Sequence, residues 1–429
     1  MLTAEENELL TRVGPGTPMG NLLRRYWWPV LAADELGRTP TKAIRVLGED
    51  LVAYRDLSGN LGLIERHCPH RRADLSLGIL EPDGIRCSYH GWCFDASGRC
   101  TDQPYEQTAN PNSRFRDNVR ATAYQLRERA GILWAYMGPD PAPALWNWEP
   151  YGWENCFRQI VTAEVPCNWL QAQENSIDPV HFEWLHDNWT AVRSGRPERA
   201  AKHLKLGFDE FEFGFTYRRI REGGTEDDEL WTVGRVCLWP NCLFTTDHFE
   251  WRTPIDDENM LSITLATERV PVDREPFTQE TIPSWRGPIF DDDGQWILTH
   301  VMNQDFAAWV GQGRIADRTR ENIGPSDRGI VMIRRQLLAD VERVARGEDP
   351  KGIVRGEETP IPLPLVNAAT FTRPRSRSEY EEWHALLERM GFPSDYPFQA
   401  GQPAWVRSLY QEAMAAPAGS PRAEAGVLA

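Results

Sequence analysis

The sequence lacks any apolar run approaching the roughly 18 residues that a membrane-spanning helix requires. Residues 1–8 are acidic and have neither the basic flank nor the apolar stretch of a signal peptide. We therefore expect no membrane partner and a location in the cytoplasm.

Positive charge is also scarce. The 429 residues include 47 Lys and Arg against 63 Asp and Glu, which gives a net charge of −16 at pH 7. Nucleic acids and anionic membranes bind clustered Lys and Arg, so this balance disfavours both as partners. The length allows roughly two or three domains, each with a core of its own.

No dinucleotide-binding fingerprint is present. The glycine-rich stretch 14–20 follows no predicted strand, and Pro15 and Pro18 within it favour a turn. We therefore expect this chain to bind neither NADH nor flavin.

The 8 cysteines do not form a disulfide framework. Two of them belong to the motif described next, and the others are scattered without regular spacing. In a reducing compartment such residues are typically buried free thiols, which is what we expect for Cys93, Cys100, Cys156, Cys167, Cys237 and Cys242.

Two short segments each offer one cysteine and one histidine as metal ligands. The first reads Cys68-x-His70 and the second Cys87-x2-His90. Two thiolates on one iron and two imidazoles on the other define a Rieske [2Fe-2S] cluster, an electron carrier. Zinc accepts the same donor atoms, but zinc-finger spacing usually pairs Cys with Cys and His with His, so zinc is the weaker alternative.

The pattern of apolar residues changes about a third of the way along the chain. A small all-β domain that carries the cluster is predicted over 43–150. It has short predicted strands at 44–47, 51–54 and 61–64 and turns at 56–60 and 95–98. The rest of the chain, over 151–412, is predicted to form an α+β domain whose antiparallel sheet is covered by helices. Its predicted strands lie at 158–165, 204–207, 211–220, 231–238, 243–251 and 260–270, and its predicted helices lie at 168–186, 296–309 and 327–346. We expect 1–42 to pack on this larger domain and 413–429 to be a poorly ordered tail.

A second metal site is predicted around His181 and His186. Five residues apart on a regular helix, these side chains point about 140° from one another. They can meet at one metal only if the helix breaks or widens into a π-type turn, and Pro179 is placed to disturb the helix just upstream.

Two imidazoles and one carboxylate on one face of Fe(II) leave coordination positions for O2 and water. The carboxylate must come from elsewhere in the chain, and we choose Asp305, a polar residue in an otherwise apolar helical stretch. The rival residues Asp291, Asp292 and Asp293 form an acidic turn that is more typical of solvated surface.

Together the two motifs resemble those of the Rieske non-haem iron oxygenases, whose oxygenase component, or ring-hydroxylating α subunit, carries both metal sites. The match joins the two Cys-His segments to Asp178-x2-His181-x4-His186, and it covers nearly the whole chain. Segments 16–20, 24–27, 304–305 and 317–319 resemble in particular the phthalate dioxygenase and aromatic O-demethylase branch. Membership of that branch implies an assembly of α subunits alone, commonly a homotrimer.

The resemblance also implies a role for Asp178 as a relay between the two sites. Its carboxylate is expected to accept hydrogen bonds from His181 and from His90 of the partner subunit, which would fix both rings and couple the sites. The alternative is an aspartate that only caps the turn before Pro179.

One departure from related proteins bears on the redox potential. Respiratory Rieske proteins resemble the cluster motif but add a cysteine to each loop, where this chain has Ala73 and Tyr89. Without that disulfide we expect a potential toward the lower end of the roughly −150 to +300 mV Rieske range.

The resemblance implies that a separate NAD(P)H-dependent reductase, with or without a ferredoxin, supplies electrons and that the protein uses O2 to oxygenate a small aromatic substrate. We favour oxidative O-demethylation of a methoxylated aromatic acid and keep cis-dihydroxylation of an aromatic carboxylate as the alternative. Two other classes remain, an electron-transfer protein, which needs no His181 and His186, and a metal-dependent hydrolase, which needs no cluster. Arginines on strands within 231–251 would suit a carboxylate substrate, but the sequence does not rank them.

Overall fold

Two short helices open the chain, and threonines cap both of them. The computed structural model describes residues 1–196, 200–393 and 396–417 and begins with α1 (Ala4–Thr11) and α2 (Pro18–Leu23). The hydroxyl of Thr3 accepts a hydrogen bond from the N–H of Glu6, and that of Thr17 accepts one from the N–H of Gly20. With Pro18 at its first position, α2 takes up the end of the glycine-rich stretch.

Antiparallel strands then form the cluster-carrying domain. The elements are β1 (Trp27–Ala32), α3 (Ala33–Arg38), β2 (Thr41–Val46), β3 (Glu49–Arg55), β4 (Leu61–Glu65), β5 (Ile79–Glu81), β6 (Gly84–Arg86), β7 (Cys93–Phe94), β8 (Cys100–Asp102), α4 (Pro104–Ala109), β9 (Ala123–Arg129) and β10 (Ile132–Tyr136). One sheet has the order β1-β10-β9-β4-β3-β2, and a smaller one has the order β5-β6-β7-β8. The loop after β4 and the loop between β6 and β7 hold the Cys-His segments.

The N-terminal segment does not act as one unit. Its helices α1 and α2 contact helices of the second domain. Strand β1, however, pairs with β10 from Trp27 opposite Tyr136 to Ala32 opposite Ile132. Residues 27–32 therefore extend the sheet of the first domain, because these residues are all buried and their backbone groups pair the edge that β10 would otherwise leave open.

The second domain is built around one long sheet. Its elements are β11 (Cys156–Val165), α5 (Trp169–Asn175), a π-helix (Phe182–Asn188), α6 (Trp189–Arg193), β12 (His203–Phe211), β13 (Gly214–Arg221), α7 (Glu229–Thr232), β14 (Arg235–Leu238), β15 (Cys242–Phe244), β16 (His248–Pro254), β17 (Met260–Arg269), β18 (Ser284–Arg286), α8 (Val301–Gly311), α9 (Arg328–Ala345), α10 (Ala369–Thr372), α11 (Arg377–Met390) and α12 (Ala404–Met414). The sheet order is β12-β13-β14-β15-β16-β17-β11-β18, with all neighbours antiparallel except the parallel pair β11 and β18. Single turns of 3-10 helix lie at Leu75–Leu77, Phe115–Asn118, Glu149–Gly152, Val272–Arg274 and Pro325–Asp327. The predicted α+β class is confirmed.

Several predicted strands are interrupted by turns. The strand predicted over 231–238 begins only at Arg235, because 229–232 form α7 and Gly234 has a φ of 83°. The strand predicted over 243–251 is a hairpin, since Thr246 takes a φ of 81° between β15 and β16. The strand predicted over 211–220 starts at Gly214, after a turn that ends β12.

The helical predictions differ mainly at their ends. The helix predicted over 327–346 is α9, whereas the one predicted over 296–309 begins at Val301. The N–H groups of Val301 and Met302 donate to the carbonyls of Pro397 and Phe398, so these strand-like contacts satisfy the first turn of α8. At the C-terminus, Ala413 and Met414 are buried in α12, and residues 418–429 of the predicted tail lie outside the described residues.

A single apolar core joins the two domains. Trp134 of β10 meets Trp251 of β16 edge to face at 5.3 Å, and both are buried. The hydroxyl of Thr253 in β16 donates to the carbonyl of Pro29 in β1. In the described part of the chain, no helix combines the length and the apolar character needed to cross a bilayer.

Candidate metal centres and their cavity

The two cluster loops use the same backbone turn. In each, the cysteine N–H donates to the carbonyl five residues later at 2.8 Å, and the cysteine carbonyl accepts from the N–H four residues later at 2.9 Å. That fourth residue is Arg72 after Cys68 and Gly91 after Cys87, and both adopt a positive φ, 61° and 76°. Two copies of one turn thus present one thiol and one imidazole each.

The side chains of these loops approach one another in pairs. The thiols of Cys68 and Cys87 are buried, and the rings of His70 and His90 lie 4.6 Å apart, with Trp92 stacked on His70 at 4.2 Å. The Nδ1 atom of His70 is buried and has no hydrogen-bond partner. Such an orphaned nitrogen is costly unless a ligand occupies it, and a metal ion would satisfy it.

The donor pattern suits a cluster better than zinc. Zinc-finger spacing usually pairs Cys with Cys and His with His, whereas each of these loops supplies one cysteine and one histidine. Two cysteines for one iron and two histidines for the other match a Rieske cluster.

No disulfide joins the loops, since Ala73 and Tyr89 stand where such a bond would need cysteines. All the cysteines are free and buried, as we expected for those outside the motif. Burial raises the pKa of Cys68 to about 11, so this thiol holds its proton at neutral pH, and binding of the cluster must displace that proton.

The predicted widening of the helix at the second site is present. His181 stands immediately before the π-helix and His186 lies within it. A π-type turn holds more residues than an α-type turn, so side chains five apart come to the same side. The two imidazole centroids are 5.2 Å apart.

Asp305 of α8 completes a buried triad. Its carboxylate oxygens lie 3.8 Å from Nε2 of His181 and 3.4 Å from Nε2 of His186. The three donor atoms all lie within 4.8 Å of one another, and Nε2 of His186 is buried without a hydrogen-bond partner. Burial lowers the pKa of His181 to about 3, so its ring is neutral, as a metal ligand must be. This donor set fits ferrous iron.

The rival acidic residues are placed elsewhere. Asp291, Asp292 and Asp293 are exposed, and Asp291 caps its own turn by accepting from the N–H groups of Asp293 and Gln295. They belong to the solvated surface.

Gln304 orients His186, a role that the sequence did not reveal. Its Oε1 atom lies 2.9 Å from Nδ1 of His186, while its Nε2 donates to Thr190 at 2.8 Å and to the carbonyl of Leu298 at 3.0 Å. Because the amide nitrogen is engaged by two acceptors, the oxygen must face the ring and accept its Nδ1 proton. His186 is therefore held in the tautomer that directs Nε2 toward Asp305.

Asp178 caps a turn and also faces the triad. Its Oδ1 accepts from the N–H of Val180 at 2.9 Å. Its Oδ2 lies 3.8 Å from Nδ1 of His181, which is too long for a hydrogen bond, and that nitrogen has no other partner. Burial raises the pKa of Asp178 to about 6, yet the side chain remains 27% exposed. The turn-capping contact is present, whereas the bond to His181 is not formed in the single chain.

The triad lies in the wall of a cavity of about 400 Å³. Strands β14 to β16 contribute to it, within the region 231–251 from which we expected pocket residues. Helices α8, α10 and α11 line it with apolar side chains. Its wall includes the arginines Arg219, Arg221, Arg235 and Arg375.

Opposite charges meet inside the same wall. His248 lies 2.7 Å from Asp247 and 2.9 Å from Glu250, and Glu250 accepts from Arg252 at 2.7 Å. Burial lowers the pKa of His248, but the Asp247 carboxylate and the bonds to Asp247 and Glu250 outweigh it and raise that pKa to about 9. In the sequence, the alternation His248-x-Glu250-x-Arg252 indicates that these three charged side chains lie together, since alternate strand residues share one face.

Known proteins resemble this chain in sequence over most of its length. The family model described as Rieske [2Fe-2S] domain matches residues 26–119, and one described as LigXa C-terminal domain like matches residues 292–371. The 5,5'-dehydrodivanillate O-demethylase oxygenase subunit of Sphingobium sp. strain NBRC 103272 / SYK-6 is 56% identical, over 96% of this chain and 97% of its own length. The phthalate 4,5-dioxygenase oxygenase subunit of Pseudomonas putida is 33% identical, over 82% of this chain and 89% of its own.

Solved structures carry the same fold. The NdmA QL mutant of Pseudomonas putida CBB5 with theobromine superposes with a TM-score of 0.58 at 18% identity, over 80% of this chain and 99% of that chain. The relatives are oxygenase subunits, neither bare electron carriers nor hydrolases. The chain therefore belongs to the Rieske non-haem iron oxygenases, as an oxygenase component that carries a [2Fe-2S] cluster and a mononuclear iron.

Proposed function

We propose that this protein demethylates a methoxylated aromatic acid, using O2 and two electrons that come from NAD(P)H through a separate reductase. The observation that carries the proposal is the buried triad of His181, His186 and Asp305 at the wall of a partly enclosed, partly apolar cavity. A cavity of this size and mixed lining suits a small aromatic molecule with a few polar groups. The Sphingobium relative supports the reaction type, since dehydrodivanillate is a methoxylated aromatic acid.

We assign the ligands by residue. Cys68, His70, Cys87 and His90 hold the cluster, and His181, His186 and Asp305 hold the iron. When bound, the cluster supplies electrons singly and the ferrous iron supplies the activation of O2. The rest falls to this chain: Gln304 keeps the Nδ1 proton of His186 in place, and the walls of the cavity position the substrate and exclude bulk water.

The overall reaction balances with one equivalent each of O2 and reductant. One oxygen atom enters a C–H bond of the methoxy group, and the other leaves as water with two electrons and two protons. The resulting hemiacetal breaks its bond between the methyl-derived carbon and the phenolic oxygen. The products are the phenol and formaldehyde.

Ring cis-dihydroxylation of an aromatic carboxylate is the second candidate. It is favoured by the likeness to a phthalate 4,5-dioxygenase, although that relative is more distant than the O-demethylase. The two reactions differ in their products, since dihydroxylation keeps both oxygen atoms of O2 on the ring and releases no formaldehyde.

We propose that the protein works in the cytoplasm as a homotrimer, with electrons crossing between subunits through Asp178. Within the described part of one chain, no hydrogen bond or ring contact joins the cluster loops to the segment 178–188. Tyr89 beside the cluster and Trp184 beside the triad are 57% and 60% exposed, so both regions can meet another protein surface. The free Nδ1 of His181 and the accessible carboxylate of Asp178 fit a contact completed by His90 of the partner subunit.

Formaldehyde release tests the proposed reaction. The holoenzyme is supplied with a surrogate reductase, with or without a ferredoxin, and a panel of methoxylated aromatic acids with their unmethoxylated counterparts. We expect formaldehyde and phenol in equal amounts from the methoxylated acids, and neither from the counterparts. Ring diols without formaldehyde would favour the second candidate.

Asp178→Asn tests the relay. The amide keeps the volume and the turn contact but loses the negative charge, so we expect both metals to remain and steady-state turnover to fall by about 10- to 100-fold. Full activity of the variant would remove Asp178 from the electron path. A trimer in solution is the companion expectation, measured by light scattering.

A further inference from the structure

Four arginines line the cavity, and two of them already have carboxylate partners. Arg221 donates to Asp187 at 2.6 Å, and Arg375 donates to Glu268 at 3.0 Å. Within the described residues, Arg219 and Arg235 have no ion pair and no side-chain hydrogen bond, and the guanidinium group of each lies over the ring of Phe182. The structure thus ranks the arginines that the sequence left equal.

Arg219 is the more unusual of the two because it is buried. Only 5% of the residue is exposed, and its Nε and Nη1 atoms have no hydrogen-bond partner. A buried guanidinium with unsatisfied N–H groups costs free energy that a folded protein normally avoids by pairing. Burial, followed by the charge of Arg235, lowers the pKa of Arg219 to about 10, which leaves it protonated at neutral pH.

The two side chains project from the same face of the sheet. Tyr217 of β13 stands opposite Arg235 of β14, and Arg219 follows Tyr217 by two residues. Since side chains two residues apart in a strand share a face, Arg219 and Arg235 are diagonal neighbours on adjacent strands. Two positive charges on neighbouring strands repel each other, and an anion bound between them offsets that repulsion.

Phe182 connects this charged patch to the metal triad. The guanidinium carbons of Arg219 and Arg235 lie 4.7 and 4.9 Å from the centroid of its ring. The same ring lies 4.5 Å from that of His181 and 5.1 Å from that of His186. One aromatic ring therefore contacts both the positively charged groups and the two histidines of the triad.

The remaining cation of the cavity wall is unsuited to an incoming anion. Both nitrogens of His248 are engaged, by Asp247 and by Glu250. An anion placed there would meet two carboxylates. Among the described residues that line the cavity, Arg219 and Arg235 are therefore the cations without an ion-pair partner.

We propose that Arg219 and Arg235 bind the carboxylate of the substrate and so fix the position of its ring relative to the iron. Guanidinium groups match the planar geometry of a carboxylate, and desolvation strengthens the contact. With the carboxylate at this patch, the ring of the substrate lies along Phe182, and its opposite edge is directed to His181, His186 and Asp305. The inference rests on the proposed function for the reaction but concerns the choice of substrate.

Binding without turnover tests this assignment. The holoenzyme is kept free of O2, and the dissociation constants of a methoxybenzoic acid and of the matching methoxybenzamide are measured by calorimetry. For Arg219→Gln and for Arg235→Gln we expect acid binding to weaken by about 10- to 100-fold, with amide binding unchanged within about twofold. Arg219→Lys keeps the positive charge but loses the planar guanidinium group that can donate two parallel hydrogen bonds. We expect an intermediate loss of affinity for the acid.

Arg218→Gln is the matched control. Arg218 directly precedes Arg219 on β13, so its side chain projects from the other face of the sheet, where its Nε atom lies 3.2 Å from Asp209. It undergoes the same change of charge on the same strand without lining the cavity. We expect wild-type binding of both ligands.

Two results would overturn the assignment: wild-type protein that binds acid and amide equally, or both glutamine variants binding the acid as tightly as wild type. Circular dichroism identifies a misfolded variant, and the half-buried Arg235 then carries the test alone. Failure of the proposed function looks different. In that case no methoxylated acid releases formaldehyde, although aromatic acids still bind more tightly than their amides and lose that preference in the variants.

Discussion

The two metal centres are built in opposite ways. The cluster loops repeat one short turn, and each loop supplies a cysteine and a histidine within a few residues, near the surface of the β domain. The iron triad joins a widened helical turn to a residue of α8 far along the chain, and it is buried at a cavity. The geometry of the cluster site is set by two short loops near the surface. The geometry of the triad depends on the packing of α8 against the widened helical turn.

Separate loss of each centre is the largest expected effect. His181→Ala removes one iron ligand, so we expect product formation to fall to background while the red-brown cluster spectrum persists. His90→Ala should do the reverse, abolishing the Rieske spectrum while iron still binds at the triad. Visible absorption and electron paramagnetic resonance of both variants measure this, and loss of both centres in either variant would contradict their independence.

A buried ion pair in the second domain should contribute more to the free energy of unfolding than an exposed pair in the first. In the second domain, Glu174 of α5 accepts from Arg318 through both oxygens at 2.8 Å, and the arginine side chain is 1% exposed. Arg318→Met removes two hydrogen bonds from this buried carboxylate and leaves Arg334, at 2.6 Å, as its remaining ion-pair partner, so we expect unfolding to become easier by about 2 kcal/mol. Urea denaturation followed by tryptophan fluorescence measures the change.

The matched control lies beside the cluster. Arg66 pairs with Asp74 at 2.6 Å but is 38% exposed, so Arg66→Met should cost less than about 1 kcal/mol. Equal losses in the two variants would mean that burial does not distinguish these pairs.

The pH dependence of stability should also differ between the regions. The folded-state pKa of His248 is raised to about 9, so its proton stabilises the second domain. This stabilisation is fully present below the ordinary histidine pKa of about 6.5 and is lost as the pH rises to 9, amounting to at most about 3 kcal/mol. Denaturation at a series of pH values should show the decline in wild type and a flatter profile in His248→Gln. Parallel profiles would remove His248 as the cause.

The smallest effect concerns the orientation of one ligand. Gln304→Leu leaves Nδ1 of His186 without its acceptor, and we expect the affinity of the triad for Fe(II) to fall by about 10- to 100-fold with the cluster unchanged. Gln304→Glu retains an acceptor and should bind iron more nearly like wild type. Iron titration of the chelated protein provides the measurement, and an unchanged affinity in Gln304→Leu would show that packing alone orients the ring.

The sequence predicted the local features of both centres because their signals are local. The spacing of Cys68, His70, Cys87 and His90 is a pattern of neighbours, and the five-residue separation of His181 and His186 demanded a wide turn. Asp305 could be chosen because a carboxylate is unusual in an apolar helix. The availability of Arg219, which depends on pairing across the sheet, had no such signal.

The strand errors have a related cause. Gly234 marked one break, but the hairpin between β15 and β16 turns on Thr246, a residue type that rarely takes a positive φ and gives no warning in the sequence. Tertiary contacts hold that turn, since the Thr246 hydroxyl donates to the carbonyl of Val366 from a distant segment. Local propensity cannot report a contact of this kind.

Metal analysis of the purified protein, produced with ample iron and compared with Asp305→Ala, tests the central claim most directly. The account predicts two irons and two sulfides for the cluster plus one further iron in each wild-type chain, with the variant losing only that further iron. Zinc at either centre, or a variant that keeps its full iron content, would contradict it.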